Sequence, residues 1–267
     1  MTEPREARRF VHSETFVRSF DPATDVDPVS FVDRYRRART VFENVPGIES
    51  DAVADRVGLP QTHLERWFGE EETPPRIIRE FTIARDRGWL DVEVDSQLFR
   101  GLNVLVGSTY GPGTIDPVTL EPRFPVRHPR DIERTAWAID RVGLRYAMVR
   151  DSERERAREL RPTADGPILG RVLVVLGAPV GDGLTRLPRY LSAVGRKHRL
   201  AFARTVLESH ATDVTTPTDV HIAGSAEVGV LEELATFFSN VTGAPVGRDG
   251  TTLIVSADAA QSLGAIS

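Results

Sequence analysis

A chain of 267 residues with 40% hydrophobic and 27% charged positions is long enough for one or two domains with their own cores and has the balance of a globular protein. No apolar run approaches the roughly 18 residues of a membrane span, and MTEPREARRF lacks the apolar stretch of a signal peptide. A cytoplasmic protein with no membrane partner is therefore expected, and the absence of cysteine excludes disulfides, thiol catalysis and cysteine-ligated zinc. The net charge of −5 is uneven: residues 1–93 hold 14 basic and 19 acidic side chains, and residues 94–267 hold 20 of each.

Residues 1–27 carry Pro4, Asp21, Pro22, Asp25 and Asp27 and no clear period, which predicts a flexible arm. Its Arg5, Arg8 and Arg9 could touch a DNA backbone; the reading preferred over that one is a disordered tail. Asp27-Pro28 opens the first helix, with an N-cap acid and a proline at the first helical position. Phe31, Tyr35 and Val41-Phe42 give that helix an apolar face, Asp33, Arg34 and Arg37 point out, and Pro46-Gly47 ends it.

Residues 50–68, SDAVADRVGLPQTHLERWF, read as helix, tight turn, helix. Ser50 caps the first helix, Ala54 is small where the helices cross, Gly58 supplies a left-handed turn, and Leu59, Leu64 and Trp67 face inward. The pattern resembles the helix-turn-helix of DNA-binding regulators, whose second helix enters the major groove. That resemblance leaves Pro60, Gln61, Thr62, Glu65 and Arg66 outward. Gln61 would pair with adenine, Arg66 with guanine or phosphate, and Thr62 with phosphate or a thymine methyl. Glu65 and the run Glu70 to Glu72 oppose phosphate, so the same hairpin is open to a protein partner. A further helix over 74–90 carries Ile77, Ile78, Phe81 and Ile83-Ala84 inside. Gly88 stops it, Trp89-Leu90 seal the domain, and a boundary follows at 91–96.

The stretch Gln97 to Gly111, QLFRGLNVLVGSTYG, predicts a buried helix. Glycine within a helix costs roughly 1 kcal/mol relative to alanine, so Gly101 implies a closely packed second helix. Arg199 to Ala211, RLAFARTVLESHA, is the expected partner. Both stretches resemble degenerate copies of the LAGLIDADG helix of homing endonucleases: Phe99, Gly101, Leu102, Gly107 and Ser108 match in the first, and Phe202, Arg204 and Leu207 in the second. The resemblance covers residues 94–267. It implies two αββαββα halves, about 94–180 and 181–267, related by a pseudo-twofold axis, with two sheets forming a saddle that in the family sits on DNA. The catalytic acid that the family places before the final glycine falls on Val106 and His210, so the resemblance implies no catalytic residue and no metal site here.

Along the first half, Gly111 to Gly113 break the helix, two strands over 114–119 and 120–128 alternate Phe124 and Val126 against Arg123, Pro125 and Arg127, and a helix over 132–142 holds Trp137 and Ile139 inside. Leu144 to Val149 is a strand, DSERERAREL (151–160) a charged turn or helix, and Ile168 to Leu176 an apolar helix stopped by Gly177. Residues 122–207 hold 18 basic and 9 acidic side chains, a net of +9. Such a segment suits an anionic partner, and its alternating signs suit a salt-bridged surface equally well. The linker 177–189, GAPVGDGLTRLPR, resembles the segment that leads into the family's second half. That half repeats the order: a strand over 219–223, a helix over 226–241, a hairpin turning at Asp249-Gly250, and a closing helix over 257–264.

GAPVGDG lacks the Lys-Ser/Thr of a phosphate loop, and His128, His198, His210 and His221 lack zinc spacing. The expected molecule is α+β: an arm (1–27), an all-α helix-turn-helix domain (28–93) and a LAGLIDADG-like domain (94–267). It has no cofactor and no enzymatic activity, and its partner is double-stranded DNA, contacted by Gln61, Thr62, Arg66, Arg123, Arg127 and Arg145. WhiA-type regulators resemble it in joining the same two modules, in the opposite order. The alternatives are an endonuclease with displaced acids, Glu208 first among them, and a protein-interaction scaffold.

Overall fold

The computed structural model describes residues 8–20, 27–69, 73–149, 158–181, 183–184, 186–210, 218–221 and 228–264. The chain is α+β and forms two compact units, His12–Leu90 and a larger one of Met1–Val11 with Asp91–Ser267. Arg5, the run 70–72 and residues 150–157 lie outside the described residues.

The smaller unit is helical: α1 (Ser13–Arg18), α2 (Pro28–Asn44), α3 (Ser50–Val57), α4 (Gln61–Phe68) and α5 (Arg76–Asp86). Asp27 caps α2, its carboxylate accepting from Ser30 N–H at 3.1 Å, as the Asp-Pro pair predicts. Val32, Tyr35, Val53, Leu64, Trp67, Phe81 and Trp89 are buried. The arm reading fails over residues 8–20. Phe16 is fully buried, with its ring 5.6 Å from Phe20 and 6.5 Å from Phe81. Phe16, Val17 and Phe20 form a short apolar stripe at helical spacing, and a six-residue helix is too brief to show a period.

The larger unit opens with β1 (Arg9–Phe10) paired antiparallel to β2 (Val92–Glu93), so the boundary falls at 90/91. Phe10 stacks on Phe99 at 5.2 Å. There follow α6 (Gln97–Thr109), β3 (Thr114–Ile115), β4 (Pro122–Val126), α7 (Pro129–Arg141), β5 (Tyr146–Val149), β6 (Arg158–Pro162) and α8 (Gly166–Leu176), the strands lying in the order β3-β4-β6-β5. A 3₁₀ turn (Arg189–Ser192) leads to α9 (Arg196–His210), β7 (Thr218–His221), α10 (Val228–Thr242), β8 (Val246–Asp249), β9 (Thr252–Val255) and α11 (Ala257–Ser262), with sheet order β7-β9-β8. β7, β8 and β9 repeat β4, β5 and β6 in chain order and in sheet order. Among the described residues the second half therefore follows the first with one strand fewer.

Three side-chain expectations are corrected. A Cβ on Gly101 would fall 2.9 Å from Ala138 O and 2.9 Å from Arg141 Cβ, so Gly101 marks the crossing of α6 with α7. The crossing with α9 lies at Gly107 and Gly111, where an added Cβ would meet Thr205 Cβ at 3.0 Å and Ser209 Cβ at 2.7 Å. Helical period identifies a packed face but not which neighbour covers it. Trp137 is 38% exposed, while Thr135, Ala138 and Ile139 are buried, because residues two apart on a helix point to different faces. Finally, part of the charged segment is β6, where Arg158 and Glu159 lead to buried Leu160 and Pro162. There β pairing overrides a composition that looks helical.

Candidate nucleic-acid interface

α3 and α4 are joined through Gly58, whose φ of +64° is the left-handed conformation that glycine adopts freely. Leu59 is buried beneath the turn. Arg34 reaches across from α2 and donates to Gly58 O at 2.9 Å, so it is half-buried and does not point out as its helical position predicts. Ser50 does not cap α3: Glu49 holds that position and Ser50 is the first helical residue.

α4 buries Leu64 and Trp67, with Trp67 wedged against Phe31 and Tyr35 at 5.6 Å each. The same helix exposes Gln61, Thr62, Glu65 and Arg66. Three of the six predicted contact residues thus share one solvent-facing helix surface. Gln61 donates its amide to Glu65 at 2.8 Å, which orients the glutamine and engages the acid. Asp51 and Asp55 are exposed on α3. Residues 12–90 hold 11 basic and 15 acidic side chains, so basic groups on this surface act within an acidic unit.

The other three residues lie in the larger unit. Arg123 alternates with buried Pro122 and Phe124 on β4, Arg127 is exposed just past the strand, and Arg145 is exposed just before β5. Phe124 pairs with Leu160, so one step along the antiparallel register Arg123 faces Arg161. Arg161 shares that sheet face with Glu159, to which it is paired at 2.5 Å. Asp116 stands 3.9 Å from Arg123. N–H groups of Thr119 and Val118 hold the Asp116 carboxyl below its ordinary pKa, and this Asx turn also ends β3 early. The charged surroundings of Arg161 mask its alternation with Leu160 and Pro162, and only the pairing of β6 with β4 assigns it to this sheet face. On the second sheet, Ile254 is exposed and pairs with Gly247, and Arg248 is turned toward Glu232 at 3.0 Å.

At the C-terminal ends of α6 and α9, Val106 is fully buried and His210 Nε2 lies 3.1 Å from Tyr110 O. Glu208 is held by Arg134 on α7 and, at 2.8 Å, by Arg204. Arg134 also donates to Asp131 at 2.9 Å and to Ser209 at 3.1 Å. Tyr110 donates to Gly177 O at 3.0 Å, and burial raises its pKa. Among the described residues no three His, Asp or Glu side chains converge as a metal-ligand set, and no helix is long and apolar enough to cross a membrane.

No protein-family model matches the chain, and comparison with curated proteins and with solved structures returns no match.

Proposed function

We propose that the chain is a non-catalytic DNA-binding protein that regulates transcription. In this reading α3, the Gly58 turn and α4 act as a helix-turn-helix, and the larger unit is a degenerate LAGLIDADG-like saddle. The observation that carries it is the α4 surface: a left-handed glycine turn followed at once by exposed Gln61, Thr62 and Arg66, the residue types that read base edges and phosphates. The saddle reading is supported by the αββαββα order of the first half, its partial repeat in the second, and the glycine-mediated approach of α6 and α9. Arg123, Arg127, Arg145 and Arg161 would hold backbone there.

Glu208, the candidate displaced acid of a nuclease, is neutralised by two guanidiniums, which weakens an enzymatic reading. A scaffold that binds protein is favoured by one observation, the acidic balance around α3 and α4, since Asp51, Asp55 and Glu65 would face phosphate.

The test is titration of random-sequence duplex DNA at several salt concentrations, with and without Mg²⁺. Binding that falls steeply with salt and leaves the DNA intact is expected. Absence of binding at low salt would favour the scaffold, and Mg²⁺-dependent cleavage would overturn the non-catalytic reading.

A further inference from the structure

A cleft of about 340 Å³ lies among α6, α7 and α9, lined by Arg100, Asn103, Val104, Trp137, Lys197 and His198. Its volume is at the lower end of small-ligand sites, roughly 300–1,000 Å³. Asn103 is held at both ends: its amide donates to His198 O at 3.0 Å and its carbonyl accepts from Tyr190 O–H at 2.7 Å. These bonds fix the start of α9 against α6.

His198 is different. Its side chain is 3% exposed and its ring packs edge-on to Phe99 at 5.3 Å. Among the described residues its Nε2 makes no hydrogen bond; Asp95 Oδ1, 3.8 Å away, is within ion-pair range of a protonated ring but beyond hydrogen-bond distance. A buried ring nitrogen without a hydrogen bond requires an explanation, and here it borders a cleft. Arg100 and Lys197 add two cations, and the first turn of α9, which begins at Arg196, adds the positive end of its dipole. Trp137 supplies a partly exposed aromatic wall, with the Arg141 guanidinium over one face of its ring at 5.7 Å from the centroid. One side of the cleft is thus cationic and another is a flat aromatic ring.

We propose that this cleft binds a phosphorylated small molecule carrying a planar ring, of the nucleoside monophosphate class. The phosphate lies between Arg100 and Lys197 with an oxygen on His198 Nε2, and the ring stacks on Trp137. Asp95, 74% exposed and 2.5 Å from Lys197, occupies the anion position in the free protein and swings out when the ligand enters. An exposed pair of this kind costs little to break. The site stands independently of the DNA-binding reading.

The test titrates the full chain, without DNA, with AMP, adenosine and inorganic phosphate, followed by tryptophan emission and by calorimetry. Trp67 and Trp89 are buried at 2% and 0% exposure, so a change in emission reports Trp137. Saturable quenching by AMP is expected, with weaker binding of adenosine or phosphate alone. Arg100→Gln and Lys197→Gln should each weaken AMP binding about tenfold, Asp95→Asn should strengthen it, and Arg66→Ala should leave it unchanged. These substitutions remove solvent-accessible groups and leave the fold intact; His198→Asn should weaken binding as well. No saturable heat at millimolar AMP would overturn the proposal. So would AMP binding that Arg100→Gln and Lys197→Gln leave unaltered, or that Arg66→Ala abolishes.

Discussion

Gly170 of α8 leaves room for the carbonyl oxygen of Leu120: a Cβ at 170 would stand 1.7 Å from that oxygen. Leu120 is itself left-handed, at φ 59°, and its N–H is tied back to Asp116 O at 2.9 Å. The turn entering β4 therefore has no freedom to retreat.

Gly170→Ala is expected to destabilise the protein by about 3 kcal/mol, the upper end of overpacking costs, despite the roughly 1 kcal/mol that alanine gains in helix propensity. Gly229, near the start of α10, has nothing among the described residues within 4 Å of its would-be Cβ. There the same change should stabilise by up to about 1 kcal/mol. Denaturant midpoints of the two variants should move in opposite directions; a shared direction would show that the contact at Leu120 relaxes.

Glu208→Ala should act on stability. The carboxylate is 14% exposed and neutralises Arg134, also 14% exposed, together with Arg204. Removing it leaves Arg134 with Asp131 and Ser209. The loss is expected at about 1–3 kcal/mol, below the cost of a wholly unpaired buried charge. Chemical denaturation with and without Mg²⁺ checks this. An equal loss in both conditions fits a structural ion pair, whereas a wild-type protein stabilised by Mg²⁺ through Glu208 would contradict it.

The local pieces of the fold were legible where chemistry is local. The Asp27-Pro28 cap, the Gly58 turn and the alternation of Arg123 with Phe124 depend on neighbours in sequence, and each lies where the residues place it. What was not legible depended on partners. Gly101 announced a close helix, yet only tertiary packing selects α7 over α9. Arg34 looks solvent-facing by period, and only the fold brings Gly58 O to it. Arg161 and Glu159 could not be assigned to a sheet face before β6 was found to pair with β4. The cleft around His198 draws on α6, α7 and α9, separated by up to a hundred positions, and no local motif joins them.

Arg66→Ala and Arg127→Ala should separate base readout from backbone grip. Arg66 lies on the exposed surface of α4 and Arg127 just beyond β4. If α4 reads bases, loss of Arg66 should cost about 1–3 kcal/mol on the preferred site and little on random DNA, relaxing sequence preference. Loss of Arg127 should weaken binding to all sequences and lower the salt slope by about one. Affinity measured on selected and random duplexes over a salt series checks both. Identical losses on every sequence would remove the division of labour.

His198 should make stability depend on pH below neutrality. Burial lowers its pKa from 6.5; Lys197 and Arg100 act in the same direction and Asp95 opposes them. The unfolded chain, with its ordinary imidazole, takes up a proton as pH falls through 6.5, and the folded protein resists doing so. The unfolded state then binds more protons, so stability falls on acidification from about neutral pH and levels off below the lowered folded-state pKa. His198→Gln cannot take up that proton in either state, so its stability should vary less over this window. Denaturation free energies at pH 8 down to 5 check the difference: the wild type should lose stability relative to the variant on going down. Parallel curves would mean that the ring is protonated as readily in the folded protein as in the unfolded chain.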